Sequence, residues 1–287
     1  MNRNIYILRS FGLIFFLSLA WACSSDPEPN VDFLPAREIL DQAYGTDVRQ
    51  KMDIYLPAGR SRENTPLLVY IHGGAWIDGD KSEFLQFKPV LETLFPDYAF
   101  VSVNYRLFDF ISGNNKFPAQ EADIISVFEY INQNLESWSV SDEIIISGAS
   151  AGGHLALQHA YRNDFSAIKA VVAFFPPTAL KELHGFNTIT ALGLESILGG
   201  KPDQIPQAYL DSSPISHLDS NDPPTIFFHG DIDTVVPISQ SELLEEKLNS
   251  TGIIHQFTRV PNQGHGFTDE TYKNLLEEAK NFISAIN

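Results

Sequence analysis

The 287-residue chain carries 36 acidic against 19 basic side chains, a formal charge of −17, with 44% hydrophobic residues and one cysteine. That length suffices for one large hydrophobic core, and the acidic excess argues against binding nucleic acid or adsorbing to anionic lipid. A lone cysteine excludes an intrachain disulfide.

Residues 1–22 differ from the rest. Asn2-Arg3-Asn4 and Arg9 make a basic start, and Phe11 to Ala20 is an apolar stretch of signal-peptide length. This predicts a secretory leader rather than a spanning helix. Ala20-Trp21-Ala22 suits ordinary signal-peptidase cleavage. Cys23, followed by the polar run Ser24 to Asn30, resembles the lipidation site and tether of a bacterial lipoprotein, although Ala20 stands where a lipobox has leucine. The expected organisation is a signal peptide over 1–22, a polar tether over 23–35 and one folded domain over 36–287. The expected location is the outer membrane or cell surface, otherwise the periplasm or medium, with membrane contact only through a lipid at Cys23.

The first strand is predicted between Val48 and Leu56, the next over Pro66–Ile71. The latter empties into His72-Gly73-Gly74-Ala75-Trp76. Glycines after a strand let backbone N–H groups approach a substrate oxygen, so Gly74 and Ala75 are candidate oxyanion donors, with Gly73 making the turn. His72 is assigned to pinning that loop. Tyr98–Asn104 predicts another strand, and Ala119–Leu135 has helical spacing of apolar residues.

Glu143–Ser147 predicts a buried strand and runs into Gly148-Ala149-Ser150-Ala151-Gly152; a helix is expected next. Strand, G-x-S-x-G and helix together make a nucleophile elbow, with Ser150 as nucleophile and the Ala151 N–H as a further oxyanion donor. The plainer alternative is a glycine-rich turn whose serine caps the helix. Ile168–Phe175 predicts a strand. Between Pro176 and Asp222 the periodicity fades under Pro176-Pro177, Gly193, Gly199-Gly200 and Pro202.

A serine needs a base, itself oriented by an acid. The strand Thr225–Phe228 leads into His229-Gly230-Asp231-Ile232-Asp233, and the strand His255–Val260 leads into Pro261 to Phe267. His265, between two glycines, is the candidate base. Asp231 and Asp233 compete for the acid; Asp233 fits the G-x-x-D spacing ahead of Val236-Pro237, leaving Asp231 to the turn. Ile238–Asn249 and Asp269–Ile286 predict amphipathic helices. Alternating strands and helices imply a mainly parallel sheet covered on both faces. No H-E-x-x-H or cysteine cluster is present, so neither a metal nor a cofactor is expected.

These motifs, together with Met52 to Pro57, Val103-Asn104-Tyr105-Arg106 and Phe117-Pro118-Ala119, resemble the α/β-hydrolase superfamily. Within it they are similar to the bacterial carboxylesterase group with H-G-G-x-W and G-x-S-x-G. The resemblance covers residues 35–287. It implies the α/β-hydrolase fold, with helices on both faces of the sheet and a small cap from the 176–222 stretch over an open cleft. Trp76, Phe108, Phe110 and Phe267 are candidates for its lining. It also implies a serine hydrolase of short acyl or aryl esters, acting on a small-molecule or polysaccharide-linked ester such as an acetyl or feruloyl group. Two alternatives remain: a peptidase or amidase resembling prolyl-oligopeptidase catalytic domains, and a non-catalytic surface binding protein.

Overall fold

The computed structural model describes residues 33–163 and 167–286. The predicted leader, Cys23 and the tether up to residue 32 lie outside them. Among the described residues eight strands form one sheet: β1 (Arg37–Ala43), β2 (Lys51–Leu56), β3 (Leu67–Ile71), β4 (Ala99–Val103), β5 (Ile144–Ala149), β6 (Ile168–Phe174), β7 (Thr225–Gly230) and β8 (His255–Val260). The order is β1-β2-β4-β3-β5-β6-β7-β8, antiparallel at β1–β2–β4 and parallel elsewhere.

Strands β3, β4 and β5 are apolar runs whose residues are buried on both faces, apart from the half-buried Ala149. Parallel strands in such a position need helices on either side. Helices α2 (Ala119–Trp138), α3 (Ala151–Arg162) and α7 (Ser239–Thr251) cover one face, where Ile124, Val127, Phe128, Ile131 and Leu135 line up on α2. Helices α1 (Lys88–Leu94) and α8 (Asp269–Ile286) cover the other, where α8 buries Leu275, Leu276, Ala279, Phe282 and Ile283.

Two regions differ from expectation. β1 was not predicted, because Arg37 to Ala43 lacks apolar alternation and is mostly exposed at the sheet edge. An ion pair holds it instead: Lys81 Nζ lies 3.1 Å from Asp41 and 2.8 Å from Asp53. Leu34 and Pro35, assigned to the tether, are also fastened, their carbonyls accepting from the Gly59 N–H (2.8 Å) and Arg60 (2.6 Å). The weakly patterned 176–222 stretch contains three short helices, α4 (Leu180–His184), α5 (Thr188–Leu198) and α6 (Pro206–Asp211).

Strand order fixes where a site can form. From β3 the chain crosses to β4 on one side, and from β5 to β6 on the other. A crevice opens at the carboxyl ends of strands where the winding reverses. Here that point lies between β3, which feeds the His72–Trp76 loop, and β5, which feeds Ser150.

Candidate active site

Ser150 sits between β5 and α3 with φ 54° and ψ −121°. Gly148 and Gly152 allow this turn. A Cβ on Gly148 would lie 2.4 Å from the Gly152 backbone, and one on Gly152 would lie 2.0 Å from the Ile71 carbonyl oxygen of β3. The Ser150 N–H donates to Phe174 O at 2.8 Å, and its carbonyl accepts from His154 N. The hydroxyl does not cap α3; it donates to His265 Nε2 at 2.8 Å. That contact removes the helix-cap alternative.

His265 Nδ1–H donates to Asp233 Oδ2 at 2.7 Å. Its ring packs against Phe175, centroids 4.5 Å apart. The loop bearing it presses onto the end of β7, where a Cβ on Gly230 would lie 2.2 Å from Gln263 O. The structure thus brings Ser150, His265 and Asp233 into one hydrogen-bonded line. Asp231 is exposed and accepts from Asn262 N at 2.7 Å, a turn contact, so the geometry separates the two competing acids.

Asp233 is enclosed by donors. Its Oδ1 accepts from Val235 N (2.8 Å) and Val236 N (3.0 Å), and its Oδ2 lies 3.3 Å from His229 Nε2. Burial alone would raise this carboxyl, but the hydrogen bonds from His229, His265 and the Val235 N–H outweigh it and hold the group well below the usual carboxylate range. Sequence reasoning gave His229 no place in the site. It is fully buried, accepts from Ser241 Oγ at Nδ1 (2.7 Å) and donates from Nε2 to Val236 O (2.9 Å). Its signal was the H-G-x-x-D spacing, which places it one β-turn before the acid.

The His72–Trp76 loop abuts the elbow. A Cβ on Gly73 would lie 3.5 Å from Ser150 Cβ. The turn itself is made by Gly74, Ala75 and Trp76, all at positive φ (97°, 51° and 63°); Gly73, expected to make it, instead permits the close approach. Among the described residues the N–H groups of Gly74 and Ala75 have no backbone or side-chain acceptor, and Ala151, at the first position of α3, has none within its helix. Ala75 and Ala151 line the same cleft as Ser150.

His72 braces this loop, as expected. Its Nδ1–H donates to Gly73 O at 2.8 Å and Nε2 accepts from Arg49 at 3.3 Å, while its ring stacks on Tyr105, whose hydroxyl donates to the carbonyls of His72 and Gly73. Arg49 also donates to Gly79 O (2.8 Å) and Asn104 Oδ1 (3.2 Å). His154 is a packed helix residue donating to Ser212 O at 2.8 Å.

Trp76 and Phe110 line the cleft beside Ser150, but Phe108 and Phe267 do not. Phe108 is buried behind Phe110, and Phe267 packs on Phe175 and Tyr272. Residues of α5, within the stretch expected to form the cap, also line the cleft.

Residues 52–248 match the BD-FAE family. The chain belongs to that family. The matched stretch includes Gly74, Ala75, Ser150, Ala151 and Asp233, while His265 lies beyond it. This BD-FAE protein is 25% identical over 271 residues to Esterase LipC of Mycobacterium tuberculosis, covering 88% of this chain and 66% of LipC. It is 26% identical over 252 residues to Esterase LipQ of the same organism, covering 81% of this chain and 58% of LipQ. The chain therefore spans less than two thirds of the length of these relatives. Among solved structures it is similar to a bifunctional GH43-CE protein of Bacteroides eggerthii, with TM-score 0.73, 29% identity, and coverage of 86% of this chain and 38% of that one. A truncated carbohydrate esterase from gut microbiota shares the fold at TM-score 0.73, with 24% identity over 87% of this chain and 96% of that one.

Proposed function

We propose that the protein is a serine hydrolase of carboxylic esters, with Ser150, His265 and Asp233 as its triad. The observation that carries this reading is the line Ser150 Oγ–His265 Nε2 (2.8 Å) and His265 Nδ1–Asp233 Oδ2 (2.7 Å) beside an open cleft. Family membership and the esterase names of LipC and LipQ support it.

His265 takes the Ser150 proton as the hydroxyl attacks the ester carbonyl. The N–H groups of Gly74, Ala75 and Ala151 stabilise the tetrahedral oxyanion, each such donor contributing about 10²–10³ in rate. His265 then protonates the departing alkoxide, and its free Nε2 activates the water that cleaves the acyl-enzyme. Asp233, ionised by its ring of donors, holds the tautomer in which Nε2 is free to accept, and stabilises the imidazolium.

The carbohydrate-esterase name of the Bacteroides eggerthii neighbour makes an acyl group on a polysaccharide one candidate to test beside simple alkyl esters. Export and lipidation at Cys23 rest on the sequence of residues 1–30; loss of membrane-fraction protein in Cys23→Ala tests them.

The deciding experiment assays residues 24–287 on p-nitrophenyl esters and on a matched anilide, beside Ser150→Ala. Ester turnover that falls by at least about 10⁴-fold in the variant is expected. Turnover of the anilide alone would replace the reading with an amidase. No turnover of either, or full activity without the Ser150 hydroxyl, would sink it.

A further inference from the structure

We propose that the cleft beside Ser150 selects its ester by an aliphatic chain longer than acetyl, and not by contacts to a sugar. This rests on the ester-hydrolase reading and names the substrate class for it.

The cleft has a volume of about 520 Å³, within the range of small-molecule sites. It is lined by Trp76, Ile77 and Phe110, by Leu183 of α4, and by Ile189, Leu192, Leu194 and Ile197 of α5. Among the described residues no charged or amide side chain lines it. Apart from Ser150, the side-chain hydroxyls present are those of Thr190 and Ser196. Both are already engaged by their own helix: Thr190 donates to Asn187 O at 3.0 Å and Ser196 to Leu192 O at 2.7 Å. The indole N–H of Trp76 is buried, so it is not presented to the cleft.

A sugar in this space would surrender its water without gaining hydrogen bonds, which costs free energy for every hydroxyl. An alkyl chain gains with every methylene removed from water. The rim continues the same chemistry, with Ile189 83% exposed, Leu192 60% and Phe110 54%. Exposed aliphatic side chains gathered around a reactive serine mark a site that receives apolar matter. A polysaccharide-linked substrate would therefore keep its sugar outside this cleft.

Gly193 supplies the test. It lines the cleft, and a Cβ there meets nothing within 4 Å. Gly193→Leu fills the cleft without touching the core, and leucine favours the helix more than glycine does. The measurement is kcat/KM for p-nitrophenyl acetate, butyrate, hexanoate and octanoate below their solubility limits, and for acetylated xylo-oligosaccharide, in the parent and in Gly193→Leu, with the melting temperature of each. The parent is expected to gain at least about a hundredfold from acetate to octanoate, up to about fourfold per methylene, and to act poorly on the acetylated sugar. Gly193→Leu should lower octanoate kcat/KM at least about tenfold more than acetate. A flat or falling chain-length series, or sugar deacetylation matching octanoate, overturns the inference and leaves the ester-hydrolase reading intact. A rising series whose slope Gly193→Leu does not change also overturns it, since the chain would then bind elsewhere. Failure to hydrolyse any ester removes both readings together.

Discussion

Ser150 is a non-glycine residue at φ 54°, a backbone state that costs on the order of 1–3 kcal/mol. The surrounding contacts hold it there: the Phe174 carbonyl takes its N–H, and Gly152 lies directly on β3. The acid is over-determined in the same way. Asp233→Asn would leave the packing intact but present an amide to His265 and favour the wrong tautomer, so kcat should fall by about 10⁴-fold with little change in KM. His229 acts one step back as a positioning residue. His229→Leu removes the Nε2–H that donates to Val236 O and lies 3.3 Å from Asp233 Oδ2, loosening the loop that holds the acid. A fall of about tenfold in kcat/KM is expected. His229→Gln, which keeps an N–H donor, should recover part of it. An unchanged kcat/KM in His229→Leu would reduce His229 to a packing residue.

Two helical glycines should respond oppositely to the same change. Gly152 lies in the first turn of α3, where a Cβ would be 2.0 Å from the Ile71 carbonyl oxygen. Gly152→Ala is expected to destabilise by about 3 kcal/mol, the upper part of the range for overpacking, and to displace the elbow. Gly193 lies in α5 facing open space, so Gly193→Ala should stabilise by about 0.5–1 kcal/mol. Denaturant midpoints of the two variants check the contrast, and equal midpoints would contradict it. Legibility at this scale followed burial. The interior strands β3 to β7 were visible because their residues are mostly apolar and buried on both faces. β1 was not, because ion pairs rather than an apolar face hold an edge strand. The helices of the 176–222 stretch were not, because they are short and α5 keeps Ile189 and Leu192 exposed around the cleft. Phe267 shows the same limit: its chemistry suited the cleft, but its ring belongs to the cluster on the far side of His265.

Acid should destabilise the whole molecule in two stages. Burial lowers His72, His154 and His159 to about 4, so each stays neutral when folded in a range where the unfolded chain protonates it. Between pH 6.5 and about 4 the unfolded state therefore binds more protons, by up to three, and stability falls as pH falls through that window. Below it the depressed carboxyl of Asp233 continues the trend: its contribution is present above the ordinary carboxylate value and is lost as protons reach it. Urea midpoints from pH 7.5 to 3.5 should decline steadily, with the first loss already evident by pH 5.5. A midpoint flat down to pH 4.5 would show that these imidazoles take up protons in the folded state as readily as in the unfolded chain.

The residue types of the site, their order along the chain and the class of fold were determined by the sequence alone. Each depends on local patterning: an apolar run, a glycine pair, a polar residue just past a strand end. Spacing already favoured Asp233 over Asp231, whereas the place of His229 behind Asp233 and which aromatics line the cleft were decided only by the tertiary structure. Those outcomes depend on strand order and on how loops from β3, β5, β7 and β8 converge over long separations, with Ser150 and His265 115 positions apart. Local patterning places a residue at the mouth of the sheet; the direction its side chain faces there is settled by packing against distant parts of the chain.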